Sequence, residues 1–428
     1  MKQITFNHVG ETVYEQKLPN GLHVVILPKQ GFNKTYATFT TKYGSIDNQF
    51  TPKGKKEKVR VPDGIAHFLE HKLFEKEDGD VFHDFSKQGA SANAFTSFTR
   101  TAYLFSTTQD VKKNLITLLD FVQSPYFTEQ TVEKEKGIIG QEIRMYDDNP
   151  DWRAYYGVIE NMYHNHPVKI DIAGTVESIS HITKDLLYEC YETFYHPSNM
   201  LLFIIGPVNP NEIMALIEEN QANKTFKQET ELKRFFDEEP KHVAEKEKII
   251  PMHINTPKCI VGFKEQQVGR QGNELLKHEL AMNVLMDLMF GQSSNNYETL
   301  YDEGLIDQSF FYDYSEEESF GFSVIGSNTD KPKELAHKLF DMVNQFRTHP
   351  LNEEDFLRIK KKKIGSILRS FNSLEYIANE YTRYQFNGMN LFDTTKVLES
   401  LTMEDIEEVL QQHFVEDAFT VCQIVPKT

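Results

Sequence analysis

Five consecutive residues, His67-Phe68-Leu69-Glu70-His71, carry the side chains in this sequence best suited to chemistry. On a helix, positions i, i+3 and i+4 share a face, so His67, Glu70 and His71 project into one space. Two neutral imidazoles so placed bind Zn²⁺, and the carboxylate between them stands where it can take a proton from water on the metal. The order H-x-x-E-H is the reverse of H-E-x-x-H. Ile65, Ala66, Phe68, Leu69, Leu73 and Phe74 surround the three polar residues, so a buried helix is predicted, with Asp63 as its N-cap. A hydrogen-bonded core cluster is the alternative. A metal, however, gives all three buried polar groups a partner at once.

Two histidines leave a zinc ligand to be found. The run Thr128 to Tyr146 starts with an N-cap and an acidic first turn and stops before Asn149-Pro150, which predicts a helix. Glu135 and Glu142 lie two turns apart on it, with Ile138 and Ile139 between them on what reads as the same inward face. Glu142 would complete a His₂Glu set and leave a fourth position for water, and Glu135 would hold a ligand or the substrate from behind. Spacing alone also permits both to be solvated helix glutamates like Glu129 and Glu133.

With these residues in place, the sequence resembles the pitrilysin/insulysin family of zinc peptidases (inverzincins), in the half-length branch that includes the mitochondrial processing peptidase. The resemblance rests on Gly44-Ser45, HFLEH, Gly89 to Tyr103, Ser124 to Phe127, the Glu135 and Glu142 pair, Gly174, and Pro197 to Met200 leading to Gly206. It implies Glu142 as third zinc ligand, Glu135 as a supporting acid, Glu70 as general base, and one Zn²⁺ per chain.

Composition sets the frame. A chain of 428 residues exceeds what one hydrophobic core usually supports, so two domains are expected. The net charge, 46 − 64 = −18, argues against nucleic acid and anionic membrane as partners. Cys190, Cys259 and Cys422 are scattered and are expected as free thiols in a reducing compartment. The first residues lack an apolar export core and no run approaches a membrane span, so a cytoplasmic location is expected.

The chain opens with strands. Asn20-Gly21 signals a hairpin between Val13-Tyr14 and Val24 to Leu27. A strand Thr35 to Lys42 feeds a polar loop, 51–60, before the zinc helix. Ser91 to Thr107 alternates and reads as a strand. Helices are predicted at 110–123, 128–146, about 152–163 and 184–195, then a strand at 201–205.

The stretch 221–247 turns to Lys, Glu, Gln and Asp and reads as a linker between domains at 1–220 and 248–428. The second half repeats the first in outline: a strand at 258–263, a helix at 273–290, paired strands in 308–325, helices at 331–347, 353–370 and after Thr402, and a strand at 419–425. Sliding by 225 places Ile367 opposite Glu142 and Lys360 opposite Glu135, and no H-x-x-E-H recurs. The expected fold is therefore α+β, two homologous domains, each a mixed or antiparallel sheet with helices on one face and only the first with a metal. The resemblance implies that the second domain walls the substrate chamber.

The predicted function is zinc-dependent endopeptidase action on oligopeptides or unstructured protein segments. A catalytically silent scaffold subunit and a zinc hydrolase of non-peptide substrates are the competing readings. Substrate is expected to add as a strand along Ala92-Asn93-Ala94-Phe95-Thr96, where small side chains at 92 and 94 let a peptide approach; a simple buried strand is the alternative. His164 and His166 have the wrong spacing for one helix face, and they, His83, His181 and His196 read as structural. Family members carry an Arg and then a Tyr in the second domain that bind substrate and stabilise the oxyanion. Tyr301 and Asp307 stand at those places here, with Tyr312 and Tyr314 as substitutes for the tyrosine only. That departure raises a homologous partner subunit supplying the pair, a heterodimer, against a self-sufficient homodimer or monomer.

Overall fold

The computed structural model describes residues 1–227 and 231–427. From β1 (Lys2–Phe6) the chain pairs antiparallel with β2 (Glu11–Lys17), and Asn20-Gly21 turns it into β3 (His23–Pro28), Gly21 taking φ 90°. β4 (Thr35–Thr41), β5 (Ala90–Thr96), β6 (Thr101–Thr107) and β7 (Met200–Gly206) complete a seven-stranded sheet of order β1-β2-β3-β7-β4-β6-β5. The single strand expected over Ser91 to Thr107 is thus two. Ser97 and Arg100 close a tight turn by Ser97 N–H to Arg100 O, so the alternating run folds back on itself as a hairpin and leaves β5 at the sheet edge.

The sheet lies in one of two compact units, which interleave along the chain. One holds Met1–Ile143, Asp171–Phe236 and Ser370–Phe386; the other holds Arg144–Ile170, Asp237–Arg369 and Asn387–Thr428. In the first, α1 (Ile65–Phe74) lies under β5 and β6, and α2 (Glu129–Asp147) starts two residues after Phe127. In the second, β8 (Glu247–Met252), β9 (Lys258–Lys264), β10 (Phe311–Glu317), β11 (Phe320–Asn328) and β12 (Phe419–Pro426) form a sheet of order β8-β12-β9-β11-β10.

Both sheets are covered on both faces, beyond the one face expected. In the first sheet Phe39, Leu202 and Tyr103 share a face with α1, whereas Tyr36, Thr38 and Phe203 point the other way. That second face is covered by α5 (Leu374–Phe386), whose Tyr381 ring meets Phe203 at 4.9 Å. The exchange is reciprocal. α3 (Pro150–Met162) belongs to the second unit, where Gly157 lies against Cys422 of β12 and Gly262 of β9 against Met162 and Val158. Opposite it on that sheet runs α4 (Gly272–Phe290).

Of the stretch expected as a linker, residues 228–230 lie outside the described residues. Pro210–Ala222 is a helix, and Lys233–Arg234 pairs with Gln49–Thr51. The reason is electrostatic: the buried Asp47 carboxylate needs a cation, and Arg234 Nε donates to it at 2.6 Å.

Candidate metal centre

α1 begins one residue later than expected. Its N-cap is Gly64 at φ 88°, with no side-chain cap, and a Cβ there would stand 2.3 Å from the Ala173 carbonyl oxygen. Only glycine fits both the left-handed backbone and that approach. Asp63 is occupied elsewhere, accepting from Asn48 Nδ2 at 2.9 Å.

The apolar residues of α1 are almost fully buried and hold His67, Glu70 and His71 against the sheet. His67 Nε2 lies 3.8 Å from Glu142 Oε1, and His71 Nε2 lies 3.6 Å from Glu142 Oε2. Among the described residues this is the one group of His, Cys, Asp or Glu side chains whose donor atoms converge within 4.8 Å. Tetrahedral zinc with nitrogen and oxygen ligands at about 2.0–2.1 Å requires donors about 3.3 Å apart, so the spacing suits a metal with little adjustment.

The protonation states fit as well. His71 Nδ1 is 3.0 Å from Glu135 Oε1. A carboxylate only accepts, so the imidazole proton is on Nδ1 and Nε2 keeps its lone pair toward Glu142. Burial opposes charge on His71, but the Glu135 hydrogen bond and the charges of Glu70, Glu135 and Glu142 outweigh it and raise its pKa. Burial, reinforced by His71, lowers His67 to about 3, so it stays a neutral donor. Its Nδ1 is buried and makes no hydrogen bond among the described residues. Glu70 is raised by burial, against the opposing pull of Thr96 and His71.

The structure therefore brings His67, Glu70, His71, Glu135 and Glu142 together. Glu135 and Glu142 do not both lie within an apolar stripe as expected. Ile139 is fully buried, but Ile138 is 45% exposed. At about 100° per residue the two carboxylates fall between the core side and the exposed side of α2, which puts the donor set at a border with solvent. The strand residues 92–96 are adjacent: Ala92, Ala94, Phe95 and Thr96 are half-buried, Asn93 is exposed, and β5 pairs on one side only, with β6. They do not form a simple buried strand. One partner was not expected from the sequence: Thr96 Oγ1 donates to Glu70 Oε2 at 2.6 Å.

The second unit carries no such site among its described residues. Aligning α1 and α4 at their C-caps, Glu75 and Gly291, sets Asn283, Met286 and Asp287 opposite His67, Glu70 and His71. Asp287 takes Lys362 and Lys363 as partners at 3.2 and 3.3 Å, so ion pairs neutralise it. Of the remaining histidines, His166 caps the turn at Pro167 and His196 the turn at Pro197. His83 and His181 are exposed and play no core role. No helix among the described residues is long and apolar enough to cross a membrane.

Residues 58–176 match the family model described as Insulinase (Peptidase family M16), and residues 181–363 match that described as Peptidase M16 inactive domain. The chain is 61% identical to the uncharacterized zinc protease YmfH of Bacillus subtilis, over 100% of both proteins. It superimposes with a TM-score of 0.94 on an M16-like peptidase from Alicyclobacillus acidocaldarius, 42% identical, covering 97% of this chain and 99% of that one. The periplasmic protease PqqL of Escherichia coli shares the fold at 17% identity and a TM-score of 0.74, and this chain spans 48% of its length.

Proposed function

The chain belongs to the M16 peptidase family, and we propose that it is a zinc endopeptidase that cleaves oligopeptides or unstructured protein segments. What carries the reading is the convergence of His67 Nε2, His71 Nε2 and the Glu142 carboxylate, with Glu70 beside them and the open edge of β5 alongside. His67, His71 and Glu142 would hold the metal, and Glu135 would fix His71. Zinc, when bound, supplies a Lewis acid that polarises the scissile carbonyl and makes water acidic. Glu70 accepts the proton of the attacking water and passes it to the leaving amine. An extended peptide pairs its main chain with β5, a mode that selects for conformation rather than side chains. The test is a quenched fluorescent peptide library, assayed with chelator and with zinc restored. Turnover that survives metal removal, or none with zinc present, rejects the reading.

A second reading, a chain working with a homologous subunit, draws support from the second unit. Tyr301, where the family's arginine is expected, is 55% exposed, and the exposed Asp307 accepts from both Ser309 N–H and Ser309 Oγ. Tyr312 donates to Asp287, and Tyr314 is buried against Glu265 and Glu316. None of these supplies a cation, and the hydroxyl protons of Tyr312 and Tyr314 are already given to carboxylates rather than free for an oxyanion. A partner of similar length would bring the missing Arg and Tyr. Co-elution with such a chain and a rise in turnover would support the heterodimer; robust turnover by this chain alone would exclude the need for it.

A further inference from the structure

Glu70 has to present one oxygen to water and to the leaving amine in turn, and a buried carboxylate on a two-fold torsion does not hold still by itself. We propose that Thr96 is the positioning residue for this base, an inference that rests on the peptidase reading above. Thr96 has one hydroxyl proton, and the acceptor-only Glu70 Oε2 lies 2.6 Å away. With Oε2 so engaged, Oε1 is the oxygen that takes the proton from water and releases it to the amine.

Thr96 is itself pinned. It lies directly opposite Thr101 in the β5–β6 pairing, and the two hydroxyl oxygens are 3.3 Å apart. Thr101 is fully buried and donates its own proton to the Tyr43 carbonyl at 2.9 Å, which leaves the Thr96 proton to Glu70. The turn that follows is held from the other side, by Ser45 N–H on Ser97 O and Ile46 N–H on Phe98 O. Gly44 makes that approach possible, since a Cβ there would stand 2.3 Å from the Phe98 oxygen. The β-branched side chain adds stiffness at χ1. Thr96 is also the last residue of β5, so the strand proposed to pair with substrate and the hydroxyl that aims the base belong to one rigid piece.

The experiment compares Thr96→Val, which keeps the shape without the donor, with Thr96→Ser, which keeps the donor. Losing one hydrogen bond to a charged group should lower kcat by roughly 10- to 100-fold in Thr96→Val, with KM and bound zinc unchanged. Thr96→Ser should return kcat to within about 3-fold of the parent. Crystal structures supply a readout apart from turnover: the Glu70 carboxylate should leave its position in Thr96→Val and keep it in Thr96→Ser. Parent-like kcat in Thr96→Val, or an unmoved Glu70, overturns the proposal and leaves the peptidase reading standing. A parent protein without turnover overturns both.

Discussion

His71 donates its Nδ1 proton to Glu135 at 3.0 Å, and through that bond a residue that holds no metal decides which nitrogen of a ligand is bare. Glu135→Gln can still accept through its amide oxygen but without the charge. Zinc affinity, measured by competition against a chromogenic chelator, should fall about 10- to 100-fold with the fold intact. Unchanged affinity would show that Glu135 serves the substrate instead.

Metal binding and proton transfer should separate by mutation. Glu70→Gln should keep a full complement of zinc and lose hydrolysis, whereas His71→Ala or Glu142→Ala should lose both, read by elemental analysis beside peptide turnover. Full activity in Glu70→Gln would refute the assignment of the base.

The edge of β5 should be needed for substrate and not for metal. Ala94→Pro removes a main-chain donor and sets φ, and Asn93→Ala trims the exposed side chain of that strand. Either should raise KM or abolish cleavage at normal zinc content, the proline more severely. Parent kinetics in both would count against strand addition.

Acid should destabilise the second unit through His166. This buried imidazole accepts from Val168 N–H through Nδ1 at 3.1 Å and lies 3.1 Å from Ser319 Oγ through Nε2, so it is bonded as the neutral tautomer. Burial, against the pull of Glu239 and with the push of Lys264, lowers it from 6.5 to about 4. Between those values the unfolded chain takes up a proton that the folded chain refuses. Its contribution is therefore present above pH 6.5, is lost as pH falls, and changes no further below about 4. His166→Asn keeps an acceptor for Val168 without titrating. Across that window the parent should lose roughly 3 kcal/mol more unfolding free energy than the variant. Parallel denaturation midpoints would reject the claim.

The legible part of this protein was local. His67, Glu70 and His71 are neighbours because helix geometry makes them so, and Glu135 and Glu142 sit two turns apart for the same reason, so spacing brings each set to one face before any tertiary contact exists. Family membership tied the two helices together; composition could not. The hairpin at Asn20-Gly21 was legible through the positive φ that its second residue adopts.

Tertiary structure alone decided the rest, because an apolar face states that it will be covered and not by what. α3 read as an ordinary helix of the first half, yet it belongs to the second unit, where Gly157 and Gly262 admit it to that sheet; α5, from the second half and not read as a helix, belongs to the first unit. The N-cap went to Gly64 because the Ala173 carbonyl stands too close for any side chain there. Thr96 and Glu70 are 26 residues apart, and their hydrogen bond exists only because β5 folds back as a sheet edge over α1.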